Sequence, residues 1–223
     1  MSNYFSQVPD FDYVSRLPDA KISDYITVKN LFKRGKLRED IFQDMTTFEK
    51  YQIKGDDRPD NVANDFYSDP TLDWLVLICN NIVNIQTEWP LMQRDFDRFL
   101  LDKYGTYAEL ESIHHYETQE IKNSKGVVML EKEMQVKSDF TFSYFDWWLQ
   151  EQQDITNANT VTAVTNYQYE EKIEDAKRNI FLLKTRYLGI VMDDMEELMT
   201  YKKGSTQYVS ETLKEAENIR LYS

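Results

Sequence analysis

The sequence predicts an α+β fold: a β-α-α-β module with an N-terminal arm, a β-hairpin and a long C-terminal helix. Three observations predict it. Residues 49–90 pass from strand-like to helix-like periodicity and back around Pro59 and Pro70. Residues 113–137 carry the turn signal Asn123-Ser124-Lys125-Gly126, with Val128, Leu130, Met134 and Val136 at alternating positions after it. From Tyr169 to Ile190, apolar residues recur at spacings of four and three.

Taken in order, residues 1–48 form an arm and short helices. All five prolines lie within the first 90 residues, so this half is rich in turns. Phe5, Val8, Phe11, Tyr13, Leu17 and Ile22 are interspersed with turn formers, which describes an extended arm that docks on something. Val28, Leu31 and Phe32 before Gly35 suggest a short helix, and Leu37, Ile41, Phe42 and Met45 a second one over 37–47.

Residues 49–90 form the module. Tyr51, Gln52 and Ile53 alternate as a half-buried strand does. Lys54-Gly55-Asp56-Asp57 is turn chemistry, with Gly55 free to take positive φ. Pro59 suits a first helical turn, and Val62, Ala63 and Phe66 follow at helical spacing. Asp69 and Pro70 read as N-cap and first position of a second helix carrying Leu72, Leu75, Val76 and Cys79. Asn80-Asn81 ends that helix, and Ile82 to Ile85 is expected to return as a strand beside the first.

Residues 91–150 hold a helix over 91–104, closed by Gly105, a helical turn at 107–112, and the hairpin. The aromatic stretch Asp139 to Leu149 is either a core strand or a patch offered to a partner, because Trp147 and Trp148 on one strand face opposite ways. Residues 151–223 begin with a polar linker over 151–165. A helix is then expected over 166–203, about 55 Å long at the α-helical rise. Tyr169, Ile173, Ile180, Leu183, Tyr187 and Ile190 lie along one seam as an interface, and Gly204 is the C-cap candidate. Val209, Leu213 and Ala216 suggest a last short helix.

The 223 residues suffice for one good core or two small ones. Net charge is −13, from 39 acidic and 26 basic residues, so the basic footprint that a duplex binder needs is missing and nucleic acid is not expected as a partner. Fifteen Tyr, twelve Phe and four Trp favour protein interfaces. Cys79 is the only cysteine, so it reads as a small buried hydrophobe rather than a disulfide or zinc ligand. The N-terminus lacks a signal-peptide pattern, and the longest wholly apolar run, Trp74 to Cys79, is too short to span a bilayer. A soluble protein made in a reducing cytoplasm is expected.

No phosphate loop, nucleophile elbow or His-Glu-x-x-His pair is present, and no cofactor is implied. His114 and His115 are strand neighbours expected to face apart, which argues against a shared metal. Asp193, Asp194, Glu196 and Glu197 read as a solvated helix face rather than a catalytic pair.

The stretch from Tyr51 to Trp74, YQIKGDDRPDNVANDFYSDPTLDW, together with Leu75 to Asn80, resembles a LysM module. More narrowly it is similar to the LysM-like domain of the baseplate wedge protein 53 family of T4-like contractile-tailed bacteriophages. Trp89 with its following helix, the Asn-Ser-Lys-Gly hairpin and the helix from Tyr169-Glu170-Glu171 occur in the family's order. The resemblance implies a non-enzymatic structural subunit of the virion tail baseplate. Such a subunit clamps the core helical bundle of each wedge, contacts the sheath-initiator protein and ties neighbouring wedges together. LysM modules often bind N-acetylglucosamine chains. The resemblance places that groove between Lys54, Gly55, Asp56, Asp57 and Arg58 on one side and Asn80, Asn81 and Ile82 on the other. The same groove can take a partner's loop, and partner binding is preferred; a peptidoglycan-binding protein of cell-wall penetration is the alternative.

Overall fold

The structure is a computed structural model and describes residues 3–21, 24–204 and 207–215. The mixed α+β class holds. Among the described residues the chain divides into two compact units, residues 1–89 with 178–223, and residues 90–177.

The first unit opens with a short helix α1 (Tyr4–Gln7) and two antiparallel strands, β1 (Asp10–Val14) and β2 (Tyr25–Lys29). The expected arm is therefore a sheet, and the short helix expected before Gly35 is β2. Its reason is composition: Tyr-Ile-Thr-Val favours a pleated strand over a helix. Ile22, placed in the arm, lies outside the described residues. Helix α2 (Glu39–Gln43) and the strand β3 (Phe48–Gln52) follow. Helix α3 (Pro59–Tyr67) begins with proline at its first turn. Asp69 accepts Thr71 N–H at 2.9 Å and starts the turn that leads into α4 (Asp73–Cys79).

The chain does not return as a strand at Ile82 to Ile85. Asn84 instead caps a short helix α5 (Ile85–Glu88), and the Glu88 carboxylate accepts Val83 N–H at 2.6 Å and Asn84 N–H at 2.9 Å. The strand that completes the module comes from far along the chain. β11 (Asn179–Leu183) pairs antiparallel with β3, from Asn179 opposite Gln52 to Leu183 opposite Phe48. The 166–203 helix is thus replaced by helix, strand and helix. Ile180-Phe181-Leu182-Leu183 is a continuous apolar run, and in such a run Ile180 and Leu183 satisfy helical spacing without forming a helix. Leu182 and Leu183 are fully buried against Val62, Leu72, Leu75 and Val76. Helix α10 (Leu188–Met199) closes this core with Val191, Met195 and Met199. The tail expected as a helix is, where described, a pair of short strands, β12 (Tyr208–Ser210) and β13 (Leu213–Glu215); Ala216 lies outside the described residues. The resulting sheet has the order β12-β13-β1-β2, with β13 parallel to β1.

The second unit contains α6 (Gln93–Tyr104), α7 (Tyr107–Glu111) and α9 (Asn166–Ala176). Phe96, Leu100 and Leu110 form its apolar centre. Thr165 and Gln168 form a capping box that starts α9. The strands β4 (Ile113–Thr118), β5 (Ile121–Lys122), β6 (Val128–Leu130), β7 (Gln135–Val136), β8 (Phe142–Asp146) and β9 (Glu151–Ile155) accompany these helices. The expected hairpin is present: β5 pairs with β6 across the Asn123–Gly126 turn, while β7 pairs with β4. The stretch read as a linker is structured. Its first part is β9, its middle is a short helix α8 (Asn157–Thr160), and its end is β10 (Val161–Thr165), which pairs with β4. The β-branched residues Val161, Thr162, Val164 and Thr165 account for that last strand.

Candidate functional site

Each half of the groove expected by resemblance is a tightly built local structure. Asp57 N–H donates to the Lys54 carbonyl at 3.1 Å and closes a turn in which Gly55 takes a φ of 51°, a left-handed value that suits glycine. Arg178 Nη1 donates to the Gly55 carbonyl at 2.6 Å, and Trp89 Nε1 donates to the Asp57 carbonyl at 3.0 Å. Lys54, Gly55, Asp56 and Arg58 are exposed and Asp57 is half-buried. Arg58 precedes α3 and pairs with Asp60 at 3.2 Å.

On the other side, α4 ends in a Schellman motif. Asn81 takes a φ of 53°, its N–H donates to Ile78, and Ile82 N–H donates to Leu77. Asn80 has a different task. Its Nδ2 donates to the Val76 carbonyl at 2.8 Å and to the Phe181 carbonyl at 2.9 Å, while its Oδ1 accepts Phe181 N–H at 2.8 Å. The ladder between β3 and β11 explains why. Ile53 N–H donates to Arg178 and Lys184 N–H to Thr47, so Arg178, Ile180, Leu182 and Lys184 bond toward β3. Asn179, Phe181 and Leu183 then turn their backbone groups away from β3. Asn80 satisfies Phe181, and Tyr67 Oη donates to the Leu183 carbonyl at 2.9 Å. Side chains thus satisfy the strand's second edge at Phe181 and Leu183. Burial drives the Tyr67 hydroxyl pKa far up, and burial likewise pushes the Cys79 thiol up to about 12.

Asn81 lines an open cavity of about 620 Å³ together with Arg34, Lys36, Glu39, Phe42 and Ile78; the walls of that cavity do not include Lys54 to Arg58. It puts cations, a half-exposed aromatic ring and apolar side chains around one concavity.

The six residues read as one interface seam do not lie on one helix. Tyr169 and Ile173 lie on α9 in the second unit, and Tyr169 stacks on His114 with ring centroids 4.0 Å apart. Ile180 and Leu183 are buried in β11, Tyr187 packs against the core of the first unit, and Ile190 is exposed on α10.

His114 and His115 also depart from expectation. The register between β10 and β4 pairs Val164 with His115 and Thr165 with Ile113, which leaves His114 in a bulge. The bulge turns both rings to one side, with Nδ1 atoms 2.8 Å apart. His115 Nε2 lies 3.0 Å from Glu117 Oε1, and Lys172 Nζ lies 3.1 Å from the same oxygen. Burial alone would raise the Glu117 carboxyl, but hydrogen bonds from His115 and Lys172 hold it below its usual value. Among the described residues, no cluster of three or more His, Cys, Asp or Glu side chains fits a metal ion, and no helix is long and apolar enough to cross a membrane.

Two exposed apolar surfaces stand out, one on each unit. In the first, Ile26, Val28, Leu31 and Phe32 are exposed, Phe32 at 98%. In the second, Trp147 and Trp148 sit in the turn between β8 and β9 and not within a strand, at 75% and 66% exposure. That turn is rigidly held. The buried Asp146 carboxylate accepts Ser124 N–H at 3.0 Å, Trp148 N–H at 2.9 Å and Leu149 N–H at 3.4 Å. These bonds, Ser124 foremost, hold its pKa below the usual carboxylate range. Phe145 meets Trp147 edge-on at 5.0 Å, and Lys125 Nζ lies 5.0 Å from the Trp148 ring centre. The adjacency of the two tryptophans signals the second surface in the sequence; the first has no such local signal, because β2 spans the boundary between the expected arm and the expected short helix.

A family model described as Base plate wedge protein 53 matches residues 4–198 of the chain. A curated relative, the Baseplate wedge protein gp53 of Enterobacteria phage T4, is 31% identical over 65 residues, or 29% of this chain. That match spans 33% of the relative's length.

Proposed function

The chain belongs to the base plate wedge protein 53 family, and from that premise we propose that it clamps wedge components and neighbouring wedges together during baseplate assembly. It is a structural component of the virion tail and assembles with other baseplate proteins. The clamp is the finer reading. The observation that carries it is the pair of apolar surfaces on separate compact units: Leu31 and Phe32 on one, Trp147 and Trp148 on the other. Large aromatic side chains held open to water by a hydrogen-bonded turn are what a partner buries as anchors. Two surfaces on one chain bind two partners with an avidity that neither contact has alone. The bundle subunits of the wedge core, the sheath initiator and the adjacent wedge are the partners that this reading assigns. No catalytic step enters it.

The module over residues 49–90, read as LysM-like and here completed by β11, serves as a protein-binding scaffold. Asn80 is committed to Phe181, and the Lys54 to Arg58 turn to Arg178 and Trp89, which favours a structural role for both sides of the expected glycan groove. Reconstitution tests the clamp. Leu31→Ser with Phe32→Ser, and Trp147→Ser with Trp148→Ser, are each expected to leave the isolated protein folded. Each pair is expected to abolish joining of wedges when the chain is mixed with the other wedge proteins. Normal joining with both pairs substituted overturns the proposal. Saturable binding to purified peptidoglycan, lost on Asp57→Ala or Asn81→Ala, would favour the glycan reading instead.

A further inference from the structure

β2 is the outer strand of the four-stranded sheet, and all five of its residues are exposed. Its ladder with β1 fixes which backbone groups it has left. Asn30 N–H donates to the Pro9 carbonyl and Ser15 N–H to the Asp24 carbonyl, and the register pairs Phe11 with Val28 and Tyr13 with Ile26. Asp24, Ile26, Val28 and Asn30 therefore bond inward. The N–H groups of Tyr25, Thr27 and Lys29, and the carbonyls of Tyr25 and Thr27, point outward. Spaced two residues apart, they form an edge about 14 Å long that only another extended chain matches.

Natural edge strands are guarded by proline, bulges or inward charges. Among the described residues Tyr25-Ile26-Thr27-Val28 carries no proline or bulge, its one charged guard is Lys29 at its end, and the run is among the most strand-prone compositions. On one sheet face Ile26 and Val28 lie opposite Tyr13 and Phe11 and remain 45% and 43% exposed. Charge selects further. From Lys29 to Arg38 the chain carries five basic residues and no acidic one, within a protein of net charge −13; Lys29 pairs with Asp10 at 2.8 Å and Arg38 with Asp40 at 2.6 Å, so Lys33, Arg34 and Lys36 carry the local positive charge. A second copy would bring its own −13 to the contact, which disfavours self-pairing.

We infer that β2 accepts an extended segment of another baseplate wedge protein as a fifth strand of this sheet. The segment carries apolar residues at alternate positions over Ile26 and Val28, and acidic residues at the end that leads toward Lys33, Arg34 and Lys36. The main chain supplies the affinity and the alternate side chains the specificity. This rests on the wedge role proposed above.

Residue-resolved amide hydrogen exchange tests it on the unaltered chain, free and after co-assembly with the other wedge proteins of its own phage. In the free protein Tyr25, Thr27 and Lys29 exchange fast, and Ile26 and Val28 are protected. On assembly the odd-numbered three slow by about a hundredfold, and the even-numbered two change little. If the chain enters the wedge while Tyr25, Thr27 and Lys29 still exchange fast, the added strand is refuted and the wedge role stands. Concentration-dependent protection of the same three amides in the free protein would assign the edge to a second copy and overturn the inference. If the chain stays out of the wedge, the functional reading fails and the inference falls with it.

Discussion

Asn80→Ala removes a side chain that acts as one more strand for β11. Three hydrogen bonds are lost: from Nδ2 to Val76 and Phe181, and from Phe181 N–H to Oδ1. At about 1 kcal/mol net for each bond, full loss is about 3 kcal/mol. Phe181 is 37% exposed, so water replaces part of what it loses, and the expected destabilisation is about 2 kcal/mol. For a chain of this size that corresponds to a fall in Tm of about 4–8 °C. Trp74 and Trp89 are 5% and 6% exposed in the same unit, so the blue edge of tryptophan emission reports its unfolding in urea. A change below about 0.5 kcal/mol would show that the edge of β11 does not depend on Asn80, because that is the ordinary scatter of surface substitutions.

Other expectations follow from single sites. Asn81→Gly keeps the left-handed helix exit without a Cβ and should leave stability unchanged or slightly raised in the same urea assay; a loss of more than about 1 kcal/mol would refute the capping account. Leu182→Ala empties a fully buried site in β11 and should cost about 2–5 kcal/mol, seen as a large drop in urea midpoint. Asp146→Asn should lower the thermal transition of the 90–177 unit near neutral pH. The folded carboxyl titrates below its unfolded value, so its stabilisation is present above the unfolded pKa and is lost as pH falls through the folded one. The gap between variant and parent should therefore close in acid, and a gap that widens there would contradict the assignment. Cys79, buried and with its thiol raised to about 12, should resist alkylation by iodoacetamide in the folded protein and react fully in urea.

Local signals carried the module as far as α4. Alternation at Tyr51 to Ile53, Pro59 and Pro70 at helix starts and Asp69 as a cap are each decided within a few residues, and the structure uses each of them. What failed was long-range. Nothing near Ile82 says that β3 waits for a strand at Asn179, with a separate unit of 88 residues between Trp89 and Arg178. The seam from Tyr169 to Ile190 mimicked a heptad because a helix, a buried strand and a second helix happen to place apolar residues at compatible intervals; Lys177-Arg178-Asn179 was the break within it. β1 failed for the same reason, since its partners are β2 and the C-terminal β13. At the candidate site, Asn80 and Asn81 were legible as a helix end, but the hydrogen bonds from Asn80 to Phe181 were not, because they depend on that distant strand.

The central claim is that the two units engage different partners through separate apolar surfaces. A density map of the assembled baseplate at side-chain resolution measures this directly. The account predicts Phe32 and the edge of β2 buried against one baseplate protein, and Trp147 with Trp148 buried against another or against an adjacent wedge. Both surfaces open to water, or both meeting one and the same partner molecule, would contradict it.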